Sequence, residues 1–356
     1  MPSQPVEIIL NLTPKARFDI IDVAAKISDQ YGDLFQRYRK TLCCSFHTTA
    51  GYLEQRFCAR FDYSLKRLDQ FLRIFQNLFP PNAGYFHDCM ELRNELSDSE
   101  KAREPVNTDS HLTFISAGLK NCVTYINRQN VPIYFIDLDG VYKQYRRNRR
   151  TTILTYNEEE ITYRGTFPVP VTTEHSIDSF NLKDPRYGFF THLNDLLESY
   201  GIEKGRIDIR LAPEERHAGL TVNEYETLLM RNDLPEAIRN PLQYMVRRGK
   251  KLLRHPSSIP GKTRDYAIYD LIHLYNTLMD NVQIGRSVTD RVLSYLSAPA
   301  SRLFQLKRHI SLFVSNSVET GPDRIVQGRY QSPILLQHQA TERGVRYLEV
   351  LVWNFR

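Results

Sequence analysis

The first half of the chain mixes short apolar runs with stretches in which apolar residues recur every three or four positions. The short runs predict strands at 6–10, 41–47, 131–136 and 151–156. The longer-period stretches predict helices at 18–27 and 61–79. A polar stretch at 96–109 predicts a loop. Strands and helices that do not alternate strictly are typical of an α+β fold, in which a mixed sheet packs against helices.

The second half repeats this order of elements. It begins after a segment rich in proline and glycine at 165–173, which predicts a linker or an edge strand. The elements predicted there are a helix at 187–200 and strands at 206–211, 332–337 and 346–353. We interpret the chain as a diverged tandem duplication with domains 1–166 and 167–356. An unrelated α+β domain whose elements happen to line up is the alternative.

The composition is that of an ordinary globular protein. Of the 356 residues, 41% are hydrophobic and 25% are charged, which excludes a disordered, collagenous or low-complexity chain. This length suits two domains of ordinary size. There is no run of about 18 apolar residues, and no basic N-terminal segment leads into an apolar one. Neither a membrane span nor a signal peptide is therefore predicted, and no membrane partner is expected.

The cysteines indicate the cellular location of the protein, and the net charge indicates which kinds of ligand it suits. All five cysteines fall within the first 122 residues and form no CxxC pair, which argues against a disulfide framework or a thiolate zinc site. A reducing, cytoplasmic location is predicted. The formal charge of +6 is mild for this length. It suits a small anionic ligand and is too weak to predict nucleic-acid binding, so basic clusters at 247–251 and 307–309 are interpreted as solvated helix faces.

Three histidines of the first half are the strongest candidates for chemistry, namely His47, His87 and His111. Neutral imidazole is a common protein ligand for zinc and similar metals, and three imidazoles with an open fourth position make a catalytic site. Their separation along the chain fits no local metal signature. Ordinary surface or core histidines are therefore the alternative.

Three stretches around these histidines carry a resemblance to a known family. His47 begins a His-Thr-Thr-Ala after a predicted strand, Pro-Pro-Asn-Ala-Gly-Tyr-Phe-His87 follows a long helix, and Ser-His111-Leu precedes a strand. Together they resemble the YjbQ-like family, also called the secondary thiamine-phosphate synthase family, over residues 6–157. The resemblance implies that all three histidines bind a divalent metal such as zinc. It also implies a homo-oligomer, because members of the family generally form trimers; internal pairing of the two halves of a duplicated chain is the alternative.

The chain departs from the family pattern in a complementary way in its two halves. After the first histidine, the family's Asn-Glu-Asn is replaced by Glu-Gln-Arg from Glu54 on, and Asp62 matches the Asp that follows. The second half has Asn223-Glu224 where the family has its Asn-Glu pair. One copy thus retains the histidines and the other the Asn-Glu pair. We expect Asn223 and Glu224 to complete a site where the copies meet.

An arginine-rich segment and two carboxylates complete the predicted site. The segment supplies Arg146, Arg147, Arg149 and Arg150. These guanidinium groups would bind substrate phosphate through bidentate hydrogen bonds, and a solvated strand edge is the alternative. Glu54 and Asp62 would orient the imidazoles or act as a base, and inert surface acids are the alternative for both.

Two further motifs are similar to known phosphate sites. Asp137-Leu-Asp139-Gly ends an apolar run, as in haloacid-dehalogenase-type phosphatases, but no clear second acidic motif follows it. Pro-Gly261-Lys-Thr echoes a phosphate-binding loop, yet Pro256 stands where that loop needs a glycine. Neither motif supports a prediction of its own.

The sequence therefore predicts a metal-dependent enzyme that acts on a small phosphorylated substrate. The resemblance to the YjbQ-like family implies chemistry similar to thiamine-phosphate synthesis, in which a pyrimidine pyrophosphate is joined to a thiazole phosphate. The predicted catalytic residues are Glu54, Asp62, Asn223 and Glu224. The competing hypothesis is a degenerate family fold that serves as a non-catalytic scaffold or binding module.

Overall fold

The computed structural model describes residues 4–93, 96–102, 104–175, 177–225, 228–239, 306–317 and 324–356. The fold is α+β, as the sequence predicted, and consists of antiparallel sheets packed with helices. Within these ranges no helix is long and apolar enough to cross a membrane. The motif at 260–263 and the basic cluster at 247–251 lie outside the described residues.

The first half contains two sheets and a short hairpin. Its strands are β1 (Val6–Leu12), β2 (Asp19–Asp22), β3 (Lys40–Ser45), β4 (Ala50–Tyr52), β5 (Cys122–Ile126), β6 (Tyr134–Asp137), β7 (Val141–Tyr142), β8 (Tyr145–Arg146) and β9 (Arg149–Tyr156). A four-stranded sheet has the order β1-β9-β3-β5, and a three-stranded sheet has the order β2-β6-β4. The hairpin pairs β7 with β8.

The described strands of the second half also form two antiparallel sheets. They are β10 (Glu159–Pro170), β11 (Asp178–Asn181), β12 (Lys204–Leu211), β13 (Ala218–Asn223), β14 (His309–Ser315), β15 (Ile325–Val326), β16 (Ser332–Gln337) and β17 (Val345–Phe355). One sheet has the order β10-β17-β12-β14-β15 and the other β11-β16-β13. Residues 307–309, predicted to lie on a helix, instead lead into β14.

The strand orders of the two halves correspond. β1, β9, β3 and β5 take the places that β10, β17, β12 and β14 take in the larger sheet, and β2-β6-β4 matches β11-β16-β13. The second half adds β15 at one edge. The predicted domain boundary at 166/167 lies within β10, which is an edge strand, one of the two interpretations of the 165–173 segment. Only Asn157 and Glu158 separate β9 from β10, and the backbone N–H groups of both donate to the carbonyl oxygen of Arg356.

Among the described residues, six of the eight α-helices lie in the first half. They are α1 (Val23–Tyr31), α2 (Leu34–Arg37), α3 (Gln55–Arg60), α4 (Leu65–Leu78), α5 (Asp98–Lys101), α6 (Thr108–Ser116), α7 (Phe189–Ser199) and α8 (Leu234–Arg239). The predicted helix at 61–79 corresponds to α4, which the Ser64 side chain caps by accepting from the Arg67 N–H.

Besides the helix expected at 307–309, two further local predictions were wrong. The helix expected at 18–27 is β2 followed by α1, because β2 pairs with β6 through Ile20 and Ile21. Pairing with a neighbouring strand overrides the local helical pattern. The loop expected at 96–109 contains α5 and the start of α6. Ser97 and Glu100 form a capping box that holds the short α5.

The apolar core is shared between the halves. One face of the first four-stranded sheet packs on α1 and the small sheet, whereas its other face meets the five-stranded sheet. There the rings of Tyr156 and Phe355 stack with centroids 3.8 Å apart. Helices α4 and α6 pack against second-half residues such as Leu229 and Ile334. The two halves are therefore held together by burial of apolar surface, which brings their polar loops into contact.

Candidate metal centre

His111 lies on α6, a helix whose nine residues are all buried. The helix N-terminus is satisfied by Asp88, whose Oδ1 accepts from the backbone N–H groups of Asn107 and Thr108, both at 3.1 Å. The Nδ1 atom of His111 lies 2.8 Å from Oδ1 of Asn223, in the other half of the chain. Because that oxygen is an acceptor, Nδ1 carries the proton and Nε2 keeps its lone pair.

His87 lies in the connection between α4 and α5 and is fully buried. Its backbone N–H donates to Oδ2 of Asp233 in the second half at 2.9 Å, which fixes this connection against the other half. The carboxylate of Asp88 approaches the ring on one side, with Oδ1 3.6 Å from Nδ1. Asp88 therefore lies beside both histidine-bearing segments.

Asn223 and Glu224 stand at the end of β13, where the strand leaves the sheet. The Asn223 side chain donates to the Thr48 carbonyl oxygen at 3.2 Å and accepts from the Glu224 N–H at 2.9 Å. The Thr48 hydroxyl donates to Oε1 of Glu224 at 3.2 Å. The segment that follows β3 in the first half thus orients the carboxylate of the second half.

These elements bring His87, His111 and Glu224 into one cluster. One potential ligand atom from each lies within 4.8 Å of the other two. Glu224 Oε2 is 3.5 Å from Nε2 of His87, and Glu224 Oε1 is 3.7 Å from Nε2 of His111. The Glu224 side chain is 12% exposed and both imidazoles are fully buried. The cluster belongs to both halves of the chain.

Three nitrogen atoms of the cluster have carboxylate oxygens 3.5–3.7 Å away but no hydrogen-bond partner among the described residues. They are both ring nitrogens of His87 and Nε2 of His111. A buried polar atom without a hydrogen bond costs about 1–3 kcal/mol, so three together call for a bound species or a specific function. Two imidazoles and a carboxylate are a ligand set used in catalytic zinc sites, which keep one position open. The His87–His111–Glu224 group has the composition to bind a divalent metal.

The ionisation of the cluster follows from its burial and its charges. Burial lowers the pKa of His111 to about 4, so this ring is neutral at pH 7. Burial also opposes protonation of His87, but the carboxylates of Asp88 and Glu224 outweigh it and raise its pKa to about 9. Burial acts to raise the pKa of Glu224, yet the two imidazoles bring it down to about 2. A metal ion would take the place of the proton on His87.

The structure does not place His47 in this cluster. Its Nε2 accepts a hydrogen bond from the backbone N–H of Arg150 at 3.0 Å. Burial and the charges of Arg149 and Arg147 lower the pKa of His47 to about 3, so the ring is neutral. The His47 carbonyl oxygen accepts from Asn121 and from Gln331 of the second half. His47 thus lies in the loop that leads to Thr48 and is held by backbone and amide contacts.

The four arginines predicted to bind phosphate differ in their surroundings. Arg146 is exposed on β8. Arg149 is buried and makes a bidentate pair with Asp137 at 2.7 and 2.8 Å, so its guanidinium is already engaged. Arg150 contributes its backbone N–H to His47. Arg147 donates to Asp139 at 2.7 Å, and its buried Nε has no partner within the described ranges.

Arg147 reaches the histidine-bearing helix through a chain of contacts. The Oδ2 atom of Asp139 that accepts from Arg147 also accepts from the side chain of Asn107, the residue at the N-cap position of α6. Asp137 and Asp139, the residues of the phosphatase-like motif, are therefore engaged with arginines. They position the guanidinium groups near the N-terminus of the helix that carries His111.

The two carboxylates predicted to support the histidines lie elsewhere. Glu54 follows β4 and pairs with Lys120 at 2.5 Å. Asp62 has a side chain that is 76% exposed, and it pairs with Arg67. Neither belongs to the cluster of His87, His111 and Glu224. Their supporting role stays a prediction.

Sequence reasoning did not identify Asp88, Thr48, Arg93 and Glu104 as neighbours of the cluster. The Arg93 side chain is 4% exposed and lies 3.4 Å from Glu104. Burial and Glu224 raise the pKa of Glu104, whereas Arg93 lowers it. Asp88 directly follows His87, which was a usable signal, because a carboxylate beside a candidate ligand often orients it. Arg93 and Glu104 carried no pattern of their own.

Comparisons with known proteins give only weak similarity. No protein-family model matches the chain, and no curated protein matches it in sequence. Nine solved protein chains match it in structure. A YbjQ-like protein of unknown function from Sulfolobus solfataricus P2 has 15% identity and a TM-score of 0.28, covering 55% of this chain and 99% of its own.

Two other solved structures show an equally low similarity to this chain. A hypothetical protein from Aeropyrum pernix K1 has 16% identity and a TM-score of 0.27, covering 54% of this chain and 98% of its own. An uncharacterized conserved protein of the YjbQ family from Clostridium acetobutylicum has 15% identity and a TM-score of 0.26, covering 41% of this chain and 97% of its own. Each resembles part of this chain, and similarity this low carries no argument about its activity.

Proposed function

We propose that this chain is a metal-dependent enzyme that acts on a small phosphorylated substrate, with its centre at His87, His111 and Glu224. The observation that carries the proposal is the buried cluster in which three ring nitrogens lie 3.5–3.7 Å from carboxylate oxygens but have no hydrogen-bond partner among the described residues. Buried polar groups without a hydrogen bond are rare in native structures and call for an explanation such as a bound ion, and strongly perturbed pKa values cluster at functional sites.

The residues present fit a divalent ion. His111 offers the lone pair of Nε2 because Asn223 holds its Nδ1 proton. Glu224 offers an ionised carboxylate, and His87 offers a ring nitrogen once its proton is displaced. A bound divalent ion supplies Lewis acidity toward a phosphate oxygen, or lowers the pKa of a bound water. Asp88 and Thr48 position the ligands and touch no reacting atom.

The phosphorylated class of substrate is supported by the cations near the cluster. Arg147 has a buried Nε with no partner within the described ranges and is held beside the N-terminus of α6 through Asp139 and Asn107. Arg93 is buried beside Glu104, and its positive charge opposes protonation of His87 and Glu224. Guanidinium groups bind phosphate through paired N–H donors. We assign phosphate binding to Arg147, with Arg93 as a second cation.

The more specific part of the proposal rests on the resemblance of the histidine motifs to the YjbQ-like family. It is a transferase similar to a thiamine-phosphate synthase, which joins a pyrimidine pyrophosphate to a thiazole phosphate. Both reactants carry phosphate groups, which agrees with the arginines assigned here. Residues of the second half would complete this centre, since Asn223 and Glu224 approach the two histidines across the contact between the halves.

One observation favours the competing scaffold function. His47 and Arg149, which the sequence placed in the site, are engaged in contacts that stabilise the fold. In a scaffold, the buried histidines would persist only as parts of the contact between the halves. Metal binding distinguishes the two functions, because a scaffold needs no ion.

The test is a zinc titration of purified protein, read by elemental analysis and by the thermal unfolding midpoint. We expect about one divalent ion per chain and a higher midpoint with zinc. Glu224→Gln and His111→Ala should each weaken zinc binding by more than about tenfold. His175→Ala, at an exposed histidine of the second half, is the matched control and should bind zinc like the unmodified protein.

The proposal is wrong if the unmodified protein binds no divalent ion, or if Glu224→Gln and His111→Ala bind zinc unchanged. If binding is present, thermal-shift screening of the metal-loaded protein against thiamine precursors and other phosphorylated metabolites identifies the substrate class. Stabilisation by a phosphorylated compound that Arg147→Ala abolishes would support the assigned phosphate contact.

A further inference from the structure

A polar cavity separate from the metal centre lies where the edge of the four-stranded sheet meets the five-stranded sheet. We call it the sheet-junction cleft. It has a volume of about 310 Å³, and the charged or titratable side chains that matter here are Glu54, Lys120, Arg206, Asp208, Arg210 and His309. Strand β5 forms one wall and strands β12 and β14 the other. No residue of this cleft belongs to the His87–His111–Glu224 cluster.

The lining of the cleft has more cations than anions. Its cations are Arg56, Lys120, Arg206 and Arg210, whereas its carboxylates are Glu54 and Asp208. Burial lowers the pKa of His309 to about 4, so its ring adds no charge at pH 7. Glu159, which does not line the cleft, also pairs with Arg206. Its negative charge is shared with Lys40, so it offsets only part of the charge of Arg206. The cleft therefore carries an excess of about two positive charges.

Both carboxylates of the cleft are already occupied. Asp208 accepts hydrogen bonds from Arg206, Arg210, Ser311 and the indole N–H of Trp353. This number of donors exhausts the capacity of one carboxylate. Glu54 is likewise shared between two cations, Lys120 and Arg56. Internal anions thus leave the surplus charge uncompensated.

Donors remain available on the cationic side of the cleft. The Nε atom of Arg210 is buried and has no hydrogen-bond partner within the described ranges. Lys120 has a side chain that is only 8% exposed, and its ammonium contacts Glu54 and His309, which leaves one of its three N–H donors. Arg206 is held rigidly, with its guanidinium 4.4 Å from the centre of the Trp353 ring. A preorganised group of cations of this kind costs little entropy when it binds an anion.

The geometry points to the sheet-junction cleft as a binding site for a phosphate group, either as the free ion or as part of a small phosphomonoester. A phosphate carries about −1.5 to −2 charges at neutral pH, which matches the surplus of the cleft. Its tetrahedral oxygens accept from donors that arrive from different directions, here Arg210 and Lys120. The volume of about 310 Å³ also accommodates a small organic group attached to the phosphate.

The experiment is calorimetric titration of metal-free, full-length protein with inorganic phosphate and, separately, with glycerol phosphate, at constant ionic strength set by chloride. We expect saturable binding, weakened more than about tenfold in Arg210→Ala and less in Arg210→Lys. Arg164→Ala, at an exposed arginine of β10, is the matched control and should bind phosphate unchanged. Circular dichroism verifies that each variant is folded, and Arg210→Lys serves as the test if Arg210→Ala does not fold.

The titration also separates this site from the proposed metal centre. Glu224→Gln and Arg147→Ala should retain the phosphate binding of the metal-free protein, whatever they do to zinc. Binding of glycerol phosphate identifies an ester ligand, and binding of inorganic phosphate alone identifies the free ion. The inference is overturned if no saturable binding occurs, if both Arg210 variants bind like the unmodified protein, or if Arg147→Ala abolishes the binding.

Discussion

Glu224 is the residue around which the two buried imidazoles are arranged. Its carboxylate accepts a hydrogen bond from the Thr48 hydroxyl of the first half, and its neighbour Asn223 orients the ring of His111. Sequence reasoning identified His87, His111, Asn223 and Glu224, because their residue types and motif context were visible without coordinates. It could not give their distances, since the side chains come from segments far apart in the sequence. Whether they bind a metal stays a prediction.

His47 illustrates why residue type alone was insufficient. Its motif is as clear as those of the other two histidines, yet its Nε2 accepts from a backbone N–H. That hydrogen bond depends on the position of β9 relative to β3, which is a property of the sheet. Arg149 is similar, because its engagement with Asp137 is visible only once β6 and β9 are placed.

His309 provides a test of pH dependence at the residue scale. Burial, and next the charge of Lys120, lower its pKa to about 4, so the folded protein binds fewer protons there than the unfolded chain. The stability that this group contributes is present above pH 6.5 and is lost as the pH falls toward 4. The free energy of unfolding of His309→Gln, compared with that of the unmodified protein, should therefore rise by about 2–3 kcal/mol when the pH is lowered from 7.5 to 4.5.

Urea unfolding at several pH values measures this difference. His175→Gln, the same substitution at an exposed histidine, is measured beside it as the control. A His309→Gln variant whose stability relative to the unmodified protein is the same at both pH values would contradict the prediction.

At the scale of elements, α6 is the helix that the site depends on most. Its residues are all buried, so its first N–H groups cannot be satisfied by water and rely on Asp88. Local sequence patterns did not predict this cap, because Asp88 precedes the helix by some 20 residues. Capping by a distant side chain is a tertiary contact that local patterns do not report.

Asp88→Ala should destabilise the protein by about 1–3 kcal/mol, because it leaves buried N–H donors without an acceptor. Chemical denaturation of the metal-free protein measures the change. Ser97→Ala removes the exposed cap of α5 and is the comparison, with an expected loss of about 1 kcal/mol or less. An Asp88→Ala variant no less stable than Ser97→Ala would show that α6 is satisfied in another way.

Elements with strong patterns were predicted well, and short ones were not. Strands β1, β3, β9, β12, β16 and β17 and helices α4 and α7 lie close to the predicted positions. Strand β2 was missed because its four residues are partly exposed and form part of an apparent helical pattern. Its strand conformation is set by pairing with β6, which no local window contains.

At the scale of the whole molecule, the matched strand orders are the main observation. Two sheets of the first half correspond strand by strand to two sheets of the second. This arrangement agrees with the tandem duplication that the sequence led us to propose, and the origin of the halves stays a proposal. The shared core and the contact between the halves were beyond the reach of sequence patterns, since periodicity indicates which face is buried but not against what.

The connection between the halves can be tested by insertion. A flexible segment of about 20 residues between Asn157 and Glu158 should cost about 2 kcal/mol of stability, because closing a much longer loop costs more entropy. The same insertion after Asn130, in the longer connection between β5 and β6, is the control and should cost about 1 kcal/mol. Denaturant unfolding compares the two, and equal losses would contradict the prediction.

The two-residue connection has a further consequence for how the cluster assembles. Because Asn157 and Glu158 join sheets that belong to opposite halves, each half meets the other at a high effective concentration that does not depend on how much protein is present. Formation of the His87–His111–Glu224 group is then intramolecular. Dilution should leave its affinity for zinc unchanged, unlike that of a centre shared between separate subunits.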